Sequence, residues 1–182
     1  GQLFNRKLGI GIAGTHGKTT TTSMLGEVLV LAGSDPTIIV GGRINNQMTS
    51  ARLGQGPVLV AEADEYDRSF LALFPRVAVL TSLEADHLDI YKNISALKET
   101  FVRYANQVAF DGAVIACADE ANVREILPRI SATVITYGLD ARARFRAENL
   151  NFKQKKSEFD LFDGSKKLGR LLLDLPGVHN IK

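Results

Sequence analysis

Residues 8–31 constrain this chain more than any other stretch. An apolar run leads into Gly11-Ile12-Ala13-Gly14-Thr15-His16-Gly17-Lys18-Thr19-Thr20, and Thr21-Thr22-Ser23-Met24-Leu25-Gly26-Glu27-Val28-Leu29 follows. That order reads as strand, glycine loop, helix. Such a loop turns successive backbone N–H groups onto a phosphate at the positive end of a helix. Lys18 adds a mobile positive charge, and the Thr19 hydroxyl is a ligand for Mg2+. The spacing departs from the strict phosphate-loop pattern, because Ile12 stands where that pattern has its first glycine. An ordinary tight strand–helix turn would still leave Lys18 and the threonines unexplained.

Beyond the loop, β-rich runs alternate with helical patterns up to about residue 137. The strand candidates are 8–13, 37–40, 58–61, 77–81, 113–117 and 133–137, several of them apolar throughout. Strands buried on both faces of a parallel sheet have that composition. Helix candidates are 19–31, 95–106 and 120–130, the last with Val123, Ile126, Leu127 and Ile130 at helical spacing and Asp119 as its expected N-cap. The alternation predicts a three-layer α/β fold with a mostly parallel sheet flanked by helices. After Gly138 short apolar stretches separated by turns such as Asp163-Gly164 predict a small antiparallel sheet.

Two further segments carry chemistry. In Pro57-Val58-Leu59-Val60-Ala61-Glu62-Ala63-Asp64-Glu65-Tyr66-Asp67 an apolar strand runs into four carboxylates. Ligands collect at the carboxyl ends of strands in open α/β sheets, and a carboxylate there can hold Mg2+. Glu62 is the best placed, and Asp64, Glu65 and Asp67 read as caps and solvated charges for the segment that follows. The second segment, residues 78–91, ends in Asp86-His87-Leu88-Asp89. Mg2+ prefers oxygen donors, so Asp86 or Asp89 is the choice of ligand from chemistry alone, and His87 reads equally well as a packing histidine.

Composition narrows the class. The chain has 182 residues, 45% apolar and 23% charged, as in an ordinary globular domain. Its single cysteine, Cys117, excludes an intrachain disulfide, reads as a small core residue in a strand and fits a reducing cytoplasm. No apolar run approaches the roughly 20 residues that cross a bilayer. The net charge of +2 is uneven, since residues 141–182 carry 10 basic and 5 acidic side chains. That tail reads as the solvated face of an antiparallel sheet, not a nucleic-acid surface, because no recognition helix or RNA-binding aromatic motif accompanies it.

Taken in order, Gly14-Thr15-His16-Gly17-Lys18-Thr19-Thr20, Glu62-Ala63-Asp64-Glu65, Glu84-Ala85-Asp86-His87-Leu88-Asp89-Ile90-Tyr91 and Pro176-Gly177-Val178-His179-Asn180 resemble the central domain of the Mur ligase family over the whole chain, 1–182. The histidine in the loop and the Glu-Ala-Asp-Glu string are most similar to its alanine-adding branch. The resemblance implies ATP-dependent amide formation in peptidoglycan precursor assembly. There the carboxylate of UDP-N-acetylmuramate attacks the γ-phosphate, and L-alanine attacks the resulting acyl phosphate. It implies that Lys18 and the backbone of Gly14, Thr15, His16, Gly17, Thr19 and Thr20 hold the phosphates. It implies further that Thr19, Glu62 and His87 bind Mg2+, with Lys18, Glu62 and His87 forming the catalytic set, and that His179 and Asn180 lie near the adenine. A family lysine that is carbamylated in several branches has only Lys98 to match it, which reads as helix surface. Tyr66 stands where serine is common. Gly1 is not an initiator methionine, and the family pattern runs past Asn180, so the expectation is an ATP-binding domain separated from its UDP-binding and C-terminal neighbours. A tripeptide-recycling ligase of the same family and a stand-alone P-loop ATPase are the alternatives.

Overall fold

The sheet that the β-rich runs build has ten strands. The structure, a computed structural model, describes residues 1–41, 50–66, 68–85, 90–153 and 156–181. In chain order its elements are β1 (Leu8–Ala13), α1 (Lys18–Leu31), β2 (Thr37–Ile39), β3 (Ala51–Arg52), β4 (Val58–Glu62), β5 (Val77–Leu80), α2 (Ile94–Ala105), β6 (Ala113–Cys117), α3 (Ala121–Ile126), β7 (Thr133–Gly138), β8 (Phe145–Lys153), β9 (Lys156–Asp163) and β10 (Lys166–Leu173). Short 3-10 turns lie at Phe4–Arg6, Ser69–Ala72, Leu127–Arg129 and Val178–Asn180. The strand order is β10-β9-β8-β7-β6-β5-β1-β4-β2-β3. Neighbours from β2 through β8 pair in parallel, whereas β3 on β2, β9 on β8 and β10 on β9 are antiparallel. The expected antiparallel strands are present, and they continue the main sheet through the β7–β8 pairing.

β1 sits between β4 and β5, so its carboxyl end opens where the connections diverge to the two sides of the sheet. Side chains alternate between two apolar layers. Ile12, Val60 and Val79 lie on the α1 side against Leu25 and Leu29. Ala78, Leu80, Val114 and Ala116 lie on the other, against Leu97, Phe101 and Tyr104 of α2 and Val123 and Ile126 of α3. Each fully buried Leu or Phe in this layer stabilises the fold by about 1.5–3 kcal/mol. Gly11 thins β1 on the α2 side: a Cβ there would lie 2.1 Å from the Tyr104 hydroxyl.

β1 and β6 match the sequence reading to the residue. α3 is shorter than expected and stops at Ile126, since Pro128 lacks an amide donor and the chain tightens into the turn Leu127–Arg129. Asp119 is not its cap. Glu120 holds that position, and the Asp119 carboxylate instead accepts from the amides of Leu139 (2.8 Å) and Asp140 (2.7 Å), tying β6 to the turn after β7. The basic C-terminal strands are laced with ion pairs: Arg142–Asp140, Arg144–Asp163, Arg146–Glu148, Lys156–Asp174, Lys167–Asp160 and Arg170–Glu158. That pairing matches a solvated sheet face. Among the described residues no helix is long and apolar enough to cross a membrane.

Candidate functional site

The loop between β1 and α1 owes its shape to two glycines. Gly14 (φ 145°) and Gly17 (φ 84°) adopt backbone conformations that disfavour a side chain, and a Cβ on Gly14 would also strike Thr81 Oγ1 at 2.1 Å. Gly17 is the N-cap of α1, no side chain caps the helix, and its first turn has no acidic residue. The first-turn amides of Lys18, Thr19 and Thr20 therefore have no side-chain cap at the positive end of the helix dipole, an arrangement that takes an anion.

The residues after β5 stitch this loop in place. Thr15 N–H donates to the Ser82 carbonyl (3.2 Å), and His16 N–H donates to Ser82 Oγ (2.8 Å). The Thr81 hydroxyl donates to the His16 carbonyl (2.6 Å), and Glu84 N–H donates to Thr15 Oγ1 (3.0 Å). His16 Nε2 also lies 3.7 Å from Glu84 Oε2, both side chains being exposed. The amides of Thr15 and His16 are thus committed to Ser82. These two residues shape the loop, and the amides turned to an anion are those of the helix start. Thr81 and Ser82 escaped the sequence reading. Their one signal was position, at the end of a strand beside β1.

Lys18 is turned back on the protein. Its Nζ donates to the Gly14 carbonyl (2.7 Å) and lies 3.0 and 3.3 Å from the two carboxylate oxygens of Glu65. Glu65 is 1% exposed and the Lys18 side chain 13%. The expectation that Glu65 is a solvated charge is therefore corrected. A carboxylate that deep in the protein needs a cationic partner, and Lys18 supplies it. The Glu65 carbonyl in turn accepts from the Tyr91 hydroxyl (2.5 Å) and Arg68 N–H (3.0 Å), with the Arg68 guanidinium 5.2 Å from the Tyr91 ring centre. Burial holds the Tyr91 phenol above its ordinary pKa. Asp64 is a turn residue whose carboxylate accepts from Tyr66 N–H (3.1 Å).

Glu62 is the last residue of β4, one position earlier in its local structure than expected. Its Oε1 accepts from Gly41 N–H (2.9 Å) at the end of the neighbouring β2 segment. Thr19 is exposed in the first turn of α1. A hydroxyl and a carboxylate are the oxygen donors that Mg2+ prefers, so this pair fits that ion chemically. His87, like Asp67, Asp86 and Asp89, lies outside the described residues. Among the described residues no three His, Cys, Asp or Glu side chains gather as a ready metal cage. Lys98 is held between helices, its Nζ 2.5 Å from Glu125 of α3.

From the loop a cleft of about 590 Å³ runs across the sheet, lined among others by His16, Gly17, Thr20, Tyr137, His179 and Asn180. Its volume is that of a small-molecule site. His179 and Asn180 sit on the turn Val178–Asn180, with Asn180 Nδ2 donating to the Pro176 carbonyl (2.7 Å). The buried Ser157 of β9 fastens this return segment by donating to the Leu175 carbonyl (2.6 Å). Burial, with Cys117 alongside, raises the Tyr137 phenol far above its ordinary pKa, so it stays a neutral donor. One end of the cleft thus offers the start of α1, and the other offers an imidazole and a carboxamide.

Comparison with known proteins follows the same lines. The family profile described as Mur ligase middle domain matches residues 12–182. The UDP-N-acetylmuramate–L-alanine ligase of Salinibacter ruber is 47% identical over 182 residues, which are all of this chain and 38% of that protein. Among solved structures, the UDP-N-acetylmuramate:L-alanyl-gamma-D-glutamyl-meso-diaminopimelate ligase from Neisseria meningitides superposes with a TM-score of 0.86 at 33% identity, covering 98% of this chain and 59% of that one. The UDP-N-acetylmuramate-alanine ligase of Thermotoga maritima gives 0.83 at 25% identity, covering 99% and 40%. The chain spans about two fifths of the length of the curated relatives it matches.

Proposed function

The chain belongs to the Mur ligase family, and from that premise we propose that it is the ATP-binding domain of a cytoplasmic ligase that joins L-alanine to UDP-N-acetylmuramate in peptidoglycan precursor synthesis. One observation carries the proposal: the uncapped start of α1, with Lys18 beside it, opens into the same cleft as His179 and Asn180. A nucleoside triphosphate has that anatomy, polyanionic at one end and a hydrogen-bonding base at the other. The 47% identity to an alanine-adding ligase supports the choice of branch. The Neisseria structure supports a second reading, in which the amine side of the substrate is a tripeptide.

In this proposal the amides of Lys18, Thr19 and Thr20 and the Lys18 ammonium neutralise the charge that builds on the β- and γ-phosphates as the substrate carboxylate attacks. Most of the domain's contribution is positioning and electrostatics. Thr19 and Glu62 would hold Mg2+, joined by His87. When bound, that ion would screen the phosphate oxygens. The Thr81–Ser82 stitch holds the loop in place and so spares it reorganisation at the moment of reaction. His179 and Asn180 orient the base. UDP-N-acetylmuramate and L-alanine require parts of the enzyme beyond this domain, and the proposal includes no nucleic-acid partner.

Calorimetric titration with ATP and Mg2+ tests the site. Lys18→Ala removes a charge-assisted contact worth about 1.5–3 kcal/mol, so affinity falls about 10–150-fold. Unchanged affinity would sink the assignment. In the full-length parent, phosphate release that depends on L-alanine and not on tripeptide separates the two branches.

A further inference from the structure

Glu65 has no part in the nucleotide site as described so far, yet it holds the residue on which that site depends. Its carboxylate is buried, it lies 3.0 and 3.3 Å from Lys18 Nζ, and its backbone cannot drift, because the buried Tyr91 hydroxyl and Arg68 N–H both fix its carbonyl. The second contact of Nζ is Gly14 O, a carbonyl of the loop itself. The ammonium is therefore already paired within and beside its own loop before any anion arrives. A carboxylate oxygen and a phosphate oxygen are equivalent partners for an ammonium, with similar lengths and strengths.

Resting on the nucleotide reading above, we infer that Glu65 is a positioning residue that stands in for phosphate: it occupies Lys18 in the empty loop and yields it when a di- or triphosphate binds. The exchange keeps Lys18 paired in both states, so the loop never carries a lone, largely buried cation, whereas the buried Glu65 carboxylate gives up its lysine when phosphate binds. That loss sets a cost on binding. Each phosphate contact to Lys18 replaces an ion pair already made, which weakens the hold on the nucleotide and speeds its departure after turnover.

The test is calorimetric titration of the chain with ADP in EDTA, using wild type, Glu65→Gln, Lys18→Ala and the double variant, with circular dichroism to check the fold. Glu65→Gln keeps the side-chain shape and removes the competing charge, so it binds ADP about tenfold tighter than wild type. A merely structural carboxylate would give weaker binding when altered. In the Lys18→Ala background the gain disappears, because there is no lysine to release. Equal or weaker binding by a folded Glu65→Gln overturns the inference, as does a gain that persists without Lys18. If Glu65→Gln does not fold, Glu65→Asp, which keeps the charge on a shorter arm, takes its place. It tightens binding as well, and unchanged or weaker binding by that variant overturns the inference. Failure of wild type to bind ADP at all would instead overturn the nucleotide reading.

Discussion

Gly11 and Tyr104 make a pair whose coupling can be computed from distances. Gly11 lies mid-strand in β1, and no left-handed φ requires a glycine there. What bars a side chain is the phenol opposite. A Cβ would sit 2.1 Å from the Tyr104 hydroxyl oxygen, but 3.4 Å from its Cζ and 3.6 Å from Phe4 Cζ. Tyr104 is fully buried, its hydroxyl has no hydrogen-bond partner among the described residues, and burial pushes its pKa far up. Gly11→Ala therefore overpacks the α2 layer at a cost of about 2 kcal/mol. For a chain of this size that lowers the melting temperature by about 4–8 °C. Tyr104→Phe removes an unsatisfied buried oxygen and is neutral or stabilising by about 1 kcal/mol. In that background the nearest atom to the new methyl is 3.4 Å away, an ordinary contact, so Gly11→Ala costs less than about 0.5 kcal/mol. Urea denaturation of the two single variants and the double variant completes the cycle. If Gly11→Ala destabilises both backgrounds equally, the hydroxyl is not the obstacle and the packing argument fails.

Two further outcomes follow from the site and from the surface. Ser82→Ala breaks the tie to His16 N–H and leaves the loop less ordered, so ADP affinity falls about tenfold while the melting temperature drops only a few degrees; calorimetry alongside thermal unfolding separates the two effects. Asp35, Glu99, Asp140 and Asp160 are all held below the ordinary carboxylate range by hydrogen bonds from their partners, chiefly the Gln55 amide, Arg129, Arg142 and Lys167. The folded state thus binds fewer protons than the unfolded one, so these groups stabilise fully above about pH 4–5 and lose that contribution as pH falls through their lowered values. Unfolding curves between pH 7 and 2 should show these groups' contribution level down to about pH 5 and falling below it, and a profile flat to pH 2 would contradict it.

The parallel sheet was legible because its strands are apolar on both faces, and β1 and β6 could be bounded to the residue for that reason. β3 was not, since two residues paired to β2 leave no period to detect. Pro128 was a visible breaker inside a helical spacing that otherwise ran on to Ile130, and the spacing proved the weaker signal. At the site, Gly14 and Gly17, the left-handed positions that shape the loop, are marked in local sequence. Glu65 is not: among neighbouring carboxylates nothing local marks it as buried, because burial depends on where Lys18 and Tyr91 arrive from distant parts of the chain. Thr81 and Ser82 were hidden for the same reason, their partners being 65–68 residues away in sequence.

The two ends of the cleft come from the loop after β1, near the middle of the sheet, and from the turn Val178–Asn180 beyond β10, a strand six places away at its edge. In a flat sheet that separation would be roughly 29 Å. The return segment held by Ser157 closes the span by bringing His179 and Asn180 to the cleft that Tyr137 of β7 also lines, three places from β1. The aperture is consequently shared between the sheet and a segment that returns to it from the edge. Freeing Leu175 from Ser157, far from the loop after β1, would change the reach between that loop and the imidazole. A ligand seated at both ends would then fasten the return segment to the sheet.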